Sequence, residues 1–278
     1  MKKLIFGNGK VPSVIKDSDT IVVPRTSCDV RNYNDIKSVV EKHGPSVVIN
    51  CAAKTNLEFC EDNKTESYEV NTLGAINILR ICSEKNIKFV HISSGCLFDG
   101  NHFVSTEETI PSPSVWYTYT KVWADEYIKN YGYENYLILR PRQLISALPH
   151  PTNMITKFSK FDKIQAIKEP NSITCIEDFS EMLSHLLNIN ARGVYNCCND
   201  GVLSPHDIAI SVRDNLNSGL EVVETTYENL LKFMPNRRVN TILSNEKLKS
   251  TGYTPRSATD ALEWCVKNYN HEIFLQKK

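Results

Sequence analysis

The chain has no excess of charge of either sign, since 32 lysines and arginines stand against 32 aspartates and glutamates for a formal net charge of zero. A nucleic acid is gripped first by a surplus of basic side chains, so nucleic acid is excluded as the expected partner. Long apolar runs are also missing. The start, Met1-Lys2-Lys3-Leu4-Ile5-Phe6-Gly7, is too short in apolar residues for a signal sequence, and no later run approaches the roughly 20 residues that cross a bilayer. The expectation is a cytoplasmic protein with no membrane partner. No internal repeat or low-complexity tract is present. Nine cysteines are an odd number, and without a secretion signal they read as reduced thiols, mostly core filler. Cys197-Cys198 has no second Cys/His pair at zinc spacing, so no metal site is expected.

What is present is an alternation. With 278 residues, 41% of them hydrophobic, the chain can bury one large core, or one core with a smaller appended lobe. Apolar runs at 4–6, 21–23, 47–49, 89–92 and 136–139 predict short buried strands, separated by helical patterns over 34–42, 66–84 and 115–131. This is the signature of an α/β, Rossmann-like, doubly wound parallel sheet. After Arg140-Pro141-Arg142 the rhythm changes to Pro149, Pro151, helices over 153–161 and 178–187, a strand over 193–197, and a loop bearing Arg238 and Asn240. The expected division is a dinucleotide-binding domain over 1–148 and a substrate-binding lobe over 149–278, some of whose segments return to the first domain.

The first strand runs into Gly7-Asn8-Gly9-Lys10, where small residues let the backbone approach a pyrophosphate. The glycine fingerprint is incomplete, with Lys10 and Ser13 at positions where further glycines would stand, and Pro12 leaves room for only a short first helix. Arg25 follows the second strand, which has no acidic residue at its end to bind a free ribose diol; a guanidinium there suits a 2′-phosphate and favours NADPH over NADH. Asp29 suits an adenine contact, Ala52 and Ala53 after the third strand permit close approach to the dinucleotide, and Arg140 is counted with the cofactor contacts.

The stretch from Ile87 through Ser94 and Cys96 to Tyr117 and Lys121 sets a hydroxyl, a thiol, a phenol and an ammonium around one expected pocket. Tyr117 and Lys121 lie four apart on a predicted helix, so both project from one face and the ammonium can lower the phenol's pKa. This combination predicts hydride and proton transfer at a ketone.

With these residues in hand, the chain resembles the extended short-chain dehydrogenase/reductases, and within them the dTDP-4-dehydrorhamnose reductase group. The segments SSGCLFDG, YTYTK, NMITKFSKFDK, EPNSIT, GVYNCCNDGVLSPHDI and RRVNTILSNEKL look like those of its bifunctional nucleotide-rhamnose synthases. The likeness runs from Val47 onward, and the Gly-rich start departs from it. The resemblance implies 3,5-epimerisation and NADPH-dependent 4-keto reduction of UDP-4-keto-6-deoxy-glucose, supplied by a separate 4,6-dehydratase, in a homodimer. It implies that Tyr117 protonates O4, that Lys121 binds the nicotinamide ribose, and that Ser94 holds the carbonyl. Cys96 and Lys157 match the acid/base pair for the two inversions, with their order left open. Arg238 and Asn240 match positions facing the nucleotide diphosphate, and Asn153, Asn171 and Ser172 are candidates for sugar or base contacts. Alternatives are a pure 4-reductase, a GDP-fucose-synthase-like epimerase/reductase, and a non-catalytic dinucleotide-binding regulatory subunit such as that of methionine adenosyltransferase.

Overall fold

The computed structural model describes residues 1–100, 104–234, 236 and 239–270. In chain order its strands are β1 (Lys3–Phe6), β2 (Thr20–Val23), β3 (Val47–Asn50), β4 (Lys88–Ile92), β5 (Val104–Ser105) and β6 (Tyr136–Arg140). They continue with β7 (Leu144–Ile145), β8 (Lys163–Ala166), β9 (Thr174–Cys175), β10 (Gly193–Asn196), β11 (Glu221–Glu224) and β12 (Ile242–Leu243). Two compact units form. The first contains Met1–Phe98, Ile110–Arg140 and Leu186–Tyr195; the second contains Asp99–Thr109, Pro141–His185 and Asn196–Lys278.

The first unit is built on a six-stranded sheet of order β10-β6-β4-β3-β1-β2. The pairs β2–β1, β1–β3, β3–β4 and β4–β6 are parallel, which requires a crossover between successive strands. Continuous burial of Val47, Val48, Ile49 and Asn50 explains why β3 reads as an unbroken apolar run rather than an alternating one. The helix Tyr33–His43 begins at Asn32, whose side chain accepts from the amides of Asn34 and Asp35, and stops at Gly44 in the left-handed conformation. Its Ile36 and Val40 pack with Ile78, Leu79 and Phe89 in one apolar cluster. The predicted 66–84 helix is present in three joined segments, Lys64–Tyr68, a π turn at Glu69–Leu73, and Gly74–Glu84. The strand near 193 joins the large sheet of the first unit, so this part of the late sequence lies outside the second unit.

The second unit contains the two-stranded pairs β7–β9, β8–β11 and β5–β12, with an apolar cluster that includes Ile145, Ile155, Ile164, Ile208 and Leu262. Its helices include Met154–Phe158, Pro205–Asn215 and Ala258–Lys267, and it holds the helix Ile176–Asn188 as far as His185. The helix predicted over 153–161 is therefore shorter, ending where Ser159 caps it.

Strand β1 lies between β2 and β3, so the chain leaves its carboxyl end toward one neighbour and later returns on the other side. Ligands of doubly wound sheets sit outside such a reversal, because the two connecting segments part there. Gly7 occupies this position with φ of +102°, and a Cβ on it would lie 3.0 Å from both Ala52 N and Cys51 C, which are backbone atoms unable to yield. Gly9 has open space instead. Gly7→Ala should therefore lower the thermal midpoint by several degrees, the equivalent of about 1–3 kcal/mol of strain, while Gly9→Ala leaves it unchanged. Equal midpoints for the two variants in differential scanning calorimetry would contradict this account of the turn.

Candidate active site

Lys121 lies on the helix Trp116–Asn130, one turn after Tyr117. Burial leaves Lys121 1% and Tyr117 8% exposed. A buried ammonium requires acceptors, and Lys121 Nζ donates to the Ile92 carbonyl at 2.8 Å, at the end of β4; His91 Nε2 lies 3.1 Å from the same nitrogen, with the donor set by the ring's tautomer. Desolvation brings its pKa down to about 8, opposed by the Asp125 carboxylate one turn further along the helix. The lysine is thus tied to the strand that leads directly into Ser93-Ser94.

Ser94 leaves β4 in extended conformation and caps the short turn Gly95–Leu97, its Oγ accepting from Cys96 N–H at 3.1 Å. Because that hydroxyl accepts from the backbone, its own proton can be donated to a carbonyl oxygen. Cys96 follows on the turn, half-buried. The Gly95–Leu97 turn packs against the Trp116–Asn130 helix, so strand end and helix bring Ser94, Cys96, Tyr117 and Lys121 into one region of the first unit.

Behind them lies a set of buried polar residues, of which the sequence reading singled out Arg140 alone. Asn50 closes β3 and accepts from Ala52 N–H at 3.0 Å. Asn71, on the π turn, brackets Lys54 by accepting from its N–H at 2.7 Å and donating to its carbonyl at 2.9 Å, while also donating to Thr120 Oγ1 at 3.0 Å. Asp125 and Arg140 form an ion pair at 3.1 Å with both side chains buried. The available signal was a buried polar residue at an apolar strand's end, as at Asn50 and His91, and an acid four residues after the lysine, as at Asp125.

The remaining cofactor candidates are also placed. Gly7, Asn8 and Gly9 form the turn after β1, and Ala52 and Ala53 the turn after β3. Exposed Arg25 lies 3.0 Å from Glu66, an acid that Lys54 also approaches at 3.0 Å. Asp29 is held by Arg31 at 2.9 Å, and this hydrogen bond keeps its carboxyl below the usual range. Arg140 is engaged by Asp125 inside the sheet, which makes it a support of the Lys121 environment.

In the second unit, exposed Lys157 stands on the helix Met154–Phe158. Asn153 caps that helix and donates to the carbonyls of Ser146 and Leu148 at 2.8 and 3.1 Å. Asn171 accepts from Thr241 N–H at 3.0 Å, and Ser172 accepts from Leu243 N–H at 2.9 Å. These three are buried and shape the loops of the unit through their side chains. Asn240 is half-buried near the backbone of Gly100, and Arg238 lies outside the described residues. Cys175 and Cys265 approach to 3.6 Å, with Glu177 3.2 Å from Cys175. The Arg256 guanidinium at 3.8 Å from Cys175 opposes a cation there, and the thiol-to-carboxylate hydrogen bond accounts for the contact.

An NADP(H) fits these residues on structural grounds. The sheet reverses at Gly7, the backbone there tolerates no Cβ, and Gly9 leaves space where a Cβ would meet nothing.

Residues 11–271 match the family described as RmlD substrate binding domain. A bifunctional dTDP-4-dehydrorhamnose 3,5-epimerase/dTDP-4-dehydrorhamnose reductase of Arabidopsis thaliana is 31% identical over 233 residues, covering 80% of this chain and 76% of the relative. A trifunctional UDP-glucose 4,6-dehydratase/UDP-4-keto-6-deoxy-D-glucose 3,5-epimerase/UDP-4-keto-L-rhamnose-reductase of the same plant is 31% identical over 265 residues, 90% of this chain, which spans 39% of that relative's length. Among solved structures, dTDP-4-dehydrorhamnose reductase from Bacillus anthracis in complex with NADP shares the fold with a TM-score of 0.87 at 21% identity, covering 99% of this chain and 100% of that one. By the extent of the family match and the identity to the first of these relatives, the chain belongs to the RmlD family of reductases.

Proposed function

We propose that this chain, an NADP(H)-dependent oxidoreductase, carries out 3,5-epimerisation and 4-keto reduction of UDP-4-keto-6-deoxy-glucose to UDP-L-rhamnose. The observation that carries the reading is the buried Lys121, one turn after Tyr117 and tied to the end of the strand that presents Ser94 and Cys96. A packed lysine at that place costs stability unless its charge is used.

Bound NADPH supplies the hydride that adds to C4. Ser94 donates its hydroxyl proton in a hydrogen bond to the C4 carbonyl oxygen and draws electron density toward it. Tyr117 gives its phenolic proton to that oxygen as the alcohol forms, and Lys121 returns a proton to the phenolate. Reduction thus consumes one proton, delivered from Lys121 through Tyr117 to O4. With Lys121 near pKa 8, the rate of reduction falls as pH rises through that value and the ammonium is lost.

The same polarised carbonyl acidifies the C–H bonds at C3 and C5. We assign Cys96 and Lys157 to their inversion, one group removing a proton from one face and the other returning one to the opposite face. Gly7, Asn8, Gly9, Ala52 and Ala53 are assigned to the dinucleotide and Arg25 to its 2′-phosphate. Asn240 and Arg238 are assigned to the nucleotide diphosphate, and the loops that Asn153, Asn171 and Ser172 shape are assigned to the sugar or base. UDP is assigned by the resemblance to the trifunctional relative, while the bifunctional relative of equal identity acts on the dTDP-linked sugar, and a separate 4,6-dehydratase supplies the keto sugar.

One assay separates the two activities. Incubated with UDP-4-keto-6-deoxy-glucose in D₂O without NADPH, the protein should introduce deuterium at C3 and C5, and on addition of NADPH it should oxidise the cofactor. Cys96→Ser and Lys157→Ala should each suppress exchange more than reduction, whereas Tyr117→Phe should lower reduction by about 10²–10⁴. Undiminished exchange in Cys96→Ser makes the thiol a packing residue, absence of exchange in the unaltered protein leaves a 4-reductase alone, and near-normal reduction by Tyr117→Phe removes the Tyr/Lys assignment.

We also assign a homodimer to the face formed by the Gly74–Glu84 and Trp116–Asn130 helices with the π turn. Trp123 is 39% and Tyr127 40% exposed there, beside Leu73 at 37%. Tyr68, Thr72 and Ile76 complete with Trp123 and Tyr127 a groove of about 450 Å³. Aromatic area of this extent in water favours association. Light scattering should give the dimer mass for the unaltered protein and the monomer mass for Trp123→Asp; a monomer throughout would reject this interface.

A further inference from the structure

Asn50, His91 and Lys121 form a buried chain inside the first unit, and the direction of its hydrogen bonds follows from one end. Asn50 Oδ1 accepts from Ala52 N–H at 3.0 Å. That contact fixes the amide, because turning it over would set two N–H donors against each other. Asn50 Nδ2 then faces His91 Nδ1 at 3.2 Å and donates to it. A ring nitrogen that accepts carries no proton, so a neutral His91 holds its proton on Nε2. The neutral form is the favoured one, since His91 is 0% exposed and desolvation pushes its pKa well below the ordinary value. Nε2 lies 3.1 Å from Lys121 Nζ. An N–H directed there finds a lone pair only when the lysine is an amine.

We propose that His91, oriented by Asn50, is a positioning residue that donates its Nε2–H to the Lys121 amine and thereby sets the lysine's proton count. The proposal rests on the reading of Lys121 as the partner of Tyr117. Once the ammonium has returned its proton to the phenolate, the resulting amine is received by a donor already aimed at it. When Lys121 is reprotonated, the Ile92 carbonyl still accepts from it at 2.8 Å, but the His91 N–H then faces an ammonium that offers no lone pair, and this disfavours the protonated lysine. Asp125 Oδ1 lies 3.9 Å from His91 Nε2, beyond direct hydrogen-bond distance. Its other oxygen is held by Arg140 at 3.1 Å. The charged and titratable groups facing Lys121 are thus His91 from β4, Tyr117 and Asp125 from its own helix, with Arg140 of β6 behind Asp125, and Cys51 after β3. Burial pushes the Cys51 thiol up to about 12 and keeps it neutral.

The test is nuclear magnetic resonance on the isotopically labelled full chain, which needs no turnover. The His91 ring ¹⁵N shifts should report a proton on Nε2 and none on Nδ1 from pH 6 to 9. The Lys121 ¹³Cε shift should titrate near 8 in the unaltered protein. In His91→Leu, which removes the donor, the midpoint should rise by roughly one pH unit, while His91→Gln, which keeps an N–H at the same reach, should restore it. A proton on Nδ1, or an unmoved midpoint in His91→Leu, overturns the proposal. Should His91→Leu fail to fold, the ring tautomer and the His91→Gln titration still decide. Failure of the underlying reductase reading would appear separately, as Tyr117→Phe retaining full activity.

Discussion

Lys121 places an ammonium on the packed face of a helix, where it is 1% exposed, and much of the first unit's polar interior is explained by that single constraint. A charge of this kind removed from water is costly unless acceptors and counter-charges are built around it. The Ile92 carbonyl accepts from it, Asp125 lies one turn along, and Arg140 holds Asp125 from the neighbouring strand. Desolvation still wins in part, since the lysine's pKa is brought down to about 8 rather than held at its ordinary value. A residue in this state can both carry a proton and give it up near neutral pH, which a solvated lysine does poorly.

The second constraint is close backbone approach where the sheet reverses. Gly7 stands against the Cys51-Ala52 backbone, and the loop from Cys51 to Lys54 is held at both ends, by Asn50 at Ala52 and by Asn71 at Lys54. Asn71 also reaches Thr120 on the helix that carries Tyr117 and Lys121. One set of buried amides therefore fixes the turn assigned to the dinucleotide and the helix assigned to proton transfer. The incomplete glycine fingerprint fits this arrangement, because of Gly7 and Gly9 in this turn it is Gly7 whose Cβ would strike backbone, while Lys10 precedes and Ser13 lies within a four-residue first helix.

The strands and principal helices were legible because parallel strands buried on both faces leave short unbroken apolar runs, as at Val47–Ile49 and Phe89–Val90. Ser94, Tyr117 and Lys121 could be singled out as candidates because chemistry at a ketone needs those groups at a strand end and on one helix face, and the fold packs that strand end against that helix. Asn50, His91 and Asp125 were not singled out, since a polar residue within an apolar run states burial without stating its partner, and these partners lie 41, 30 and 15 residues apart in sequence. The reverse occurred with Asn153, Asn171 and Ser172, whose polar side chains suggested ligand contacts but hydrogen-bond to their own unit. Arg140 likewise reads as a cationic contact in sequence and is held by Asp125 in the fold. The strand at Gly193–Asn196 follows a long non-sheet segment, and nothing in its local pattern distinguishes a sixth strand of the large sheet from a strand of the second unit.

The central claim is that the groups around Lys121 serve hydride addition to the C4 ketone of a nucleotide-linked 4-keto-6-deoxyhexose. The most direct measurement is a reaction of the purified chain with UDP-4-keto-6-deoxy-glucose and NADPH deuterated at the transferable C4 position of the nicotinamide, with the sugar product read by NMR. The account predicts a 6-deoxyhexose carrying one cofactor-derived deuterium at sugar C4. An unreduced keto sugar, tested with the UDP-, dTDP- and GDP-linked forms in turn, would contradict it.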